Sequence, residues 1–197
     1  MCNPVGAAPD AGCDYGKLLC VTDRRLCREG DLLAQLRRVC ALRPRGILLR
    51  EKDLTAEPYE ALARQVQELC GPAPLFLHTH TEAALLLNIR RIHFSLPALR
   101  LQSLTPGFFE EVSVSCHSVE DVLEAEALGA TQAILGNIYE TECKKGLPGR
   151  GVELLARACE AARIPVYAIG GVNEARLPEL LRAGAAGGCM MSRYMRI

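Results

Sequence analysis

Residues 165–192 read PVYAIGGVNEARLPELLRAGAAGGCMMS. An apolar run (Pro165–Gly171) is followed by a polar break, an amphipathic stretch (Glu174–Ala183) and a second apolar run (Gly187–Ser192). That order predicts a strand, a crossover helix and a parallel strand. Working back along the chain, the same alternation recurs as far as Lys17. Strands are predicted at Leu18–Asp23, Gly46–Arg50, Leu75–Thr79, Arg91–Leu96, Val112–Cys116 and Gln132–Asn137, ahead of the two already quoted. Eight parallel strands are the number that closes a barrel.

Between the strands, apolar residues at three- and four-residue spacing predict helices over Asp31–Leu42, Glu57–Cys70, Ser118–Leu128, Val152–Arg163 and Glu174–Ala183. Ser118, with Asp121 three residues on, makes a helix-starting cap. Glu82–Ile89 reads as a short helix, and Leu99–Glu110, interrupted by Pro106 and Gly107, as one turn plus a loop. The fold class is therefore α/β, a compact (β/α)₈ TIM barrel. An open doubly wound sheet is the competing fold, but its Gly-x-Gly-x-x-Gly fingerprint after the first strand is missing. The barrel occupies residues 17–197, and residues 1–16, small and turn-forming, read as a flexible N-terminal extension. Only five residues follow Ser192, so the eighth helix is expected to be absent. The outer face of the last strand then needs a cover: the Met1–Gly16 segment, a partner subunit or further chain.

The chain has 197 residues, 49% of them hydrophobic, and no formal net charge, which fits one domain with a sizeable core. Balanced charge without long like-charged runs offers no electrostatic case for nucleic acid or an anionic membrane. No secretory signal and no apolar stretch of membrane-spanning length is present, which predicts a cytoplasmic protein. Its ten cysteines include no Cys-x-x-Cys pair, so a disulfide scaffold and a zinc ribbon are both disfavoured.

Active sites of such barrels lie where strands end and βα loops begin. Gly170 and Gly171, with Met191 and Ser192 after the last strand, are the candidate phosphate site, because adjacent glycines let backbone N–H groups approach an anion closely. Arg50 and Lys52 flank Glu51 and share one strand face, so both can hold a pyrophosphate or carboxylate. The other reading of these cations is a solvated cluster paired with Asp53. The long glycine- and lysine-rich loop 136–151 carries Cys143, whose thiol gains thiolate character beside Lys144 and Lys145 when exposed. His78 and His80 form a His-x-His pair on one face after the third strand, with His117 after the fifth. They are candidate proton carriers or substrate-facing groups. A metal-dependent hydrolase is the alternative of a different class, disfavoured because no carboxylate ends the eighth strand.

Taken together, VTDR (Val21–Arg24), LLREK (Leu48–Lys52), SCHSVEDVLEAEALGA (Ser115–Ala130), ETECKKGLPGRG (Glu140–Gly151), IPVYAIGGVN (Ile164–Asn173) and Gly188–Ser192 resemble the thiamine-phosphate synthase/TenI family. The resemblance spans nearly the whole chain from Leu18. It implies that a synthase would join a pyrimidine pyrophosphate to thiazole phosphate with Mg²⁺ on the pyrophosphate. Arg50, Lys52, Ser115, Thr141 and Lys144 stand at matching substrate positions, and Gly171 and Ser192 at those for the thiazole phosphate. Three departures oppose this: Leu48 replaces a glutamine, His78-Thr79 an Asn-Asp pair, and Ala98 an aspartate. Two lost carboxylates remove ligands that Mg²⁺ takes.

The loop is closest to the TenI branch, which implies metal-free tautomerisation of a carboxythiazole phosphate by general acid–base chemistry. The histidine of that branch after the sixth strand is Asn137 here, and an amide does not exchange a proton near neutral pH. Either His78, His80, His117 or Cys143 moves the proton, or the protein binds without turnover. The expectation is a TenI-like thiazole tautomerase without cofactor, with thiazole phosphate as its small-molecule partner. A synthase using Mg²⁺ and a silent thiazole-phosphate binder are the alternatives, and a homo-oligomer is compatible with all three.

Overall fold

In the computed structural model, described over residues 8–27, 30–102, 107–141, 146 and 148–197, eight parallel strands form one closed ring in sequence order. The strands are β1 (Leu18–Val21), β2 (Gly46–Leu49), β3 (Leu75–His78), β4 (Arg91–Ser95), β5 (Glu111–Cys116), β6 (Gln132–Gly136), β7 (Val166–Ile169) and β8 (Gly187–Met190). The helices are α1 (Leu32–Ala41), α2 (Ala56–Cys70), α3 (Thr81–Leu86), α4 (Leu96–Arg100), α5 (Val119–Ala127), α6 (Val152–Ala161) and α7 (Leu177–Arg182). The predicted strands are all present; seven end one or two residues earlier than their apolar runs, and β5 ends at Cys116 as predicted but begins at Glu111. The Ser118 cap is present too, its side chain accepting from Asp121 N–H.

The clearest departure lies after β4. The apolar pattern predicts a strand ending at Leu96 and one turn plus a loop over Leu99–Glu110, whereas α4 begins at Leu96 itself. Ser95 caps it and Pro97 fills its first turn, where the missing N–H costs no hydrogen bond. Of that stretch, residues 103–106 lie outside the description.

Side chains alternate between the two faces of each strand. Leu18, Cys20, Ile47, Leu49, Ile92 and Phe94 point outward into the helix layer. Leu19, Val21, Leu48, Phe76, Ile134, Tyr167 and Cys189 fill the barrel interior. On the β4–β5 side that interior turns polar. The register pairs Arg91 with Glu111, His93 with Ser113 and Ser95 with Ser115, three polar layers from the floor of the barrel to its mouth.

Among the described residues β8 is followed by a 3₁₀ turn, Tyr194–Arg196, which buries Tyr194 and Met195 completely. Gln35 of α1 holds the turn by donating to Tyr194 O (2.6 Å) and Ile197 O (3.1 Å). Tyr15, ring centroid 6.3 Å from that of Tyr194, covers the seam from the other side and donates to Glu174 Oε1 (3.1 Å). Arg193 pairs with the same buried carboxylate and donates to Ala8 O (3.0 Å). The cover for the last strand is thus divided between the segment after β8 and residues 8–17. The boundary read at Lys17 passes through a packed piece of chain. Among the described residues no helix is long and apolar enough to cross a membrane.

The Tyr194 hydroxyl is buried without a hydrogen-bond partner among the described residues, so it is the ring that seals the seam. Tyr194→Ala is expected to cost about 3–5 kcal/mol, the usual range for truncating a buried aromatic. Tyr194→Phe is expected to be neutral or stabilising. Urea-unfolding midpoints for the two variants check this, and equal losses in both would contradict it.

Candidate active site

At the C-terminal ends of the strands lies a cavity of about 420 Å³, within the range of small-molecule sites. Arg50 and Lys52 line it together from the end of β2, as the strand alternation requires. Glu51 between them turns the other way. Its carboxylate is 2% exposed and accepts from Thr22 Oγ1 (2.6 Å), Arg24 N (3.1 Å) and Arg24 Nη1 (3.0 Å). This anchor ties the end of β1 to the end of β2 and leaves the two cations facing the mouth. Asp53 pairs with Arg24 rather than with either of them. Burial, then the charge of Arg50, pulls the Lys52 pKa below its ordinary value.

On the far rim, Gly170 (φ 94°) and Gly171 (φ 65°) both adopt left-handed backbone. A Cβ at Gly170 would sit 2.5 Å from Asn137 Cβ, and one at Gly171 2.6 Å from Glu140 O, so no side chain fits at either position. The carbonyls of Ile169, Gly170 and Gly171 accept from Ile138 N–H, Tyr139 N–H and Arg176 Nη1. Gly170 and Gly171 both line the cavity. Met191, Ser192 and Thr141 also line the cavity.

The predicted histidines separate. His78 lines the cavity, whereas His80 does not: Thr79 adopts φ +63°, which ends the strand alternation, and His80 turns outward to stack on Tyr59 with ring centroids 3.8 Å apart. The expectation that the pair shares one face is corrected accordingly. His117 lines the mouth and donates from Nδ1 to Gly136 O (2.8 Å), which leaves Nε2 as its proton-accepting atom. Asn137, 4% exposed, also lines it. Its amide nitrogen reaches the carbonyls of Tyr139 and Pro148 (3.4 Å each), so it helps hold the loop above it. Cys143 and Lys144 lie outside the described residues.

The histidine missed in the sequence reading is His93. It lies buried beneath the mouth, between Ser113 Oγ (2.9 Å from Nδ1) and Ser115 Oγ (2.8 Å from Nε2). A neutral ring donates to one serine and accepts from the other, so His93 dictates whether the Ser115 hydroxyl donates or accepts at the cavity. The signal was present: alternation along RIHFS and EVSVS puts His93, Ser113 and Ser115 on one face. A search confined to strand ends passes over it.

Burial, reinforced by Arg50 and Lys52, lowers the His78 pKa to about 4. Burial lowers that of His93 to about 3, with His78 as the next cause. Both rings are therefore neutral near pH 7 and act as hydrogen-bonding groups rather than as proton carriers. No Asp or Glu lines the cavity among the described residues, and those residues contain no cluster fit to hold a metal. Thr79 donates its hydroxyl to His78 O (2.6 Å), and Ala98 packs against the core. Among the described residues the cavity thus supplies no carboxylate oxygens of the kind Mg²⁺ takes.

Because both folded-state histidine pKa values lie below the unfolded value of about 6.5, the unfolded chain binds protons that the folded chain refuses. Stability should be fully present above pH 6.5 and fall as pH drops towards 4 and 3. The loss by pH 5 is expected to reach about 2 kcal/mol for His93 and less for the partly exposed His78. Urea midpoints at pH 7.5, 6 and 5 measure it. A midpoint that stays level across that window would refute the buried-neutral assignment.

A family model described as thiamine monophosphate synthase matches residues 18–194. Among curated relatives, the thiamine-phosphate synthase of Clostridium acetobutylicum is 30% identical over 179 residues, covering 88% of this chain and 84% of that protein. The thiamine-phosphate synthase of Pyrococcus horikoshii is 30% identical over 185 residues, covering 91% and 86%. Among solved structures, thiamine phosphate pyrophosphorylase from Pyrococcus furiosus superposes with a TM-score of 0.78 at 24% identity, covering 93% of this chain and 89% of that one. That identity speaks for the fold alone.

Proposed function

Since the chain belongs to the thiamine monophosphate synthase family, we propose that its barrel mouth binds thiazole phosphate and couples it to a hydroxymethylpyrimidine pyrophosphate. The observation that carries this reading is that the cations Arg50 and Lys52 and, apart from them, Gly170, Gly171 and Ser192 line one cavity, which suits two anionic groups. The thiazole phosphate would sit against Gly170, Gly171 and Ser192, with the pyrophosphate against Arg50 and Lys52. Coupling forms a bond from the thiazole nitrogen to the pyrimidine methylene carbon and breaks the bond from that carbon to pyrophosphate. Charge then develops on the leaving oxygens, where a guanidinium and an ammonium stabilise it most. In the family Mg²⁺ shares that task. The mouth lacks carboxylate ligands for it among the described residues, so the two cations are assigned the task here. The relatives' names support coupling, and none of them singles out tautomerisation.

A second reading, tautomerisation of a carboxythiazole phosphate, is favoured by that same carboxylate-free lining together with His117, whose Nε2 is left to accept a proton. Its substrate carries a phosphate and a carboxylate, which the same two sets of residues also suit. His78, whose pKa burial lowers to about 4, is poorly suited to accept that proton. Asn137 would orient the ring.

Arg50→Ala is expected to lower kcat/KM for the pyrophosphate substrate by about 10–100-fold, the loss of one charge-assisted contact of roughly 1.5–3 kcal/mol. Gly171→Ala is expected to weaken thiazole phosphate, for want of space at Glu140 O. Mass-spectrometric detection of thiamine phosphate, with Mg²⁺ and with chelator, tests the primary reading. Interconversion of carboxythiazole isomers without coupling would transfer the assignment to the second. Calorimetric binding of thiazole phosphate with neither turnover would identify a silent binder.

A further inference from the structure

The outer helices carry a pair of thiols that the barrel mouth does not use. Cys40 lies in the last turn of α1 and Cys70 ends α2, and their sulfurs are 3.3 Å apart. Among the described residues no other two thiols stand this close. Cys40 is half-buried and reachable from solvent, while Cys70 is buried beneath it. A disulfide needs about 2.05 Å between sulfurs, so closure requires a shift on the order of 1 Å. Both sulfurs sit at helix ends, since α1 stops at Ala41 and α2 at Cys70, and Arg43 (φ 53°) and Gly71 (φ 54°) turn the chain away.

We propose that Cys40 and Cys70 form a reversible disulfide, a modification site at the end of the barrel opposite the mouth. The oxidant class is a low-molecular-weight disulfide such as oxidised glutathione. The Cys40 thiolate attacks one sulfur of the reagent, its S–S bond breaks, and a small thiolate leaves with the bonding electrons. Cys70 gives up its proton and attacks Cys40 Sγ, which expels the second small thiol. Two electrons and two protons pass from the protein dithiol to the reagent, which leaves as two thiols.

The roles follow from position. The accessible sulfur meets the reagent, and the covered one resolves the mixed disulfide. The sulfur–sulfur contact favours ionisation of Cys40 and, together with burial, holds the proton on Cys70. The bond would close a loop of 30 residues containing β2 and α2. A loop of that length restricts the unfolded chain enough to raise Tm by roughly 5–10 °C. The mouth lies at the other end, so substrate binding is expected to be unchanged.

The test treats the full chain with oxidised glutathione, blocks remaining thiols, digests it and maps linked peptides by mass spectrometry. The expected result is one linked pair containing Cys40 and Cys70, reversed by dithiothreitol. A higher Tm should accompany it, lost in Cys40→Ser and Cys70→Ser but kept in Cys159→Ser. Glutathione remaining on Cys40 with Cys70 free, or a link through any other cysteine, overturns the proposal. So does the absence of any oxidised product, and peptide mapping of the unmutated chain decides this even where a variant folds poorly.

Discussion

Pairing of β1 with β8, Leu18 opposite Gly188 and Leu19 opposite Cys189, turns eight strands into a ring without an edge. Every other feature of the molecule depends on that closure. It gives each strand an inside and an outside, so a residue's place in the alternation decides whether it joins the helix layer or the barrel interior. It also demands close approach at the seam. A Cβ at Gly187 would lie 1.9 Å from Lys17 O, so only glycine lets the two strands meet there. The seam is sealed by Tyr194, Met195 and Tyr15, two large rings and a thioether doing what a helix face does elsewhere around the ring.

The interior is divided by chemistry. Most of it is apolar, but the paired β4 and β5 columns are polar from floor to mouth. At the floor Glu111 binds Arg91 and Arg45, so charge is paired with charge. In the middle His93 stands between two serines, a neutral network that satisfies both ring nitrogens and avoids the cost of a buried charge. At the top Ser95 and Ser115 open into the cavity. Such a column supplies orientation rather than protons, because burial holds its histidine neutral across the ordinary pH range. Positive charge enters the mouth only from Arg50, Lys52 and Arg193 among the described residues, and Arg193 is paired with the buried Glu174. Glu51 is what keeps the first two aimed there: with its carboxylate fixed behind the rim, the strand's alternation sends its neighbours forward.

Much of this was legible in the chain itself. The eight strands and their order follow from the repeated change between apolar runs and amphipathic stretches, a local property that survives any tertiary arrangement. The glycine pair and the shared face of Arg50 and Lys52 follow from equally local rules, the absence of Cβ and the two-residue period of a strand. Tertiary structure alone decided the rest. His80 left the mouth because one backbone angle at Thr79 broke the period at the strand end. His93 entered the site because the β4–β5 register set it between two serines, a relation between segments that no single segment carries. The cover over the seam, Glu51 turned away from the mouth and Cys40 set against Cys70 likewise required distant stretches to be brought together. Periodicity assigns a residue to a face; which face looks inward, and what meets it there, is decided when the ring closes.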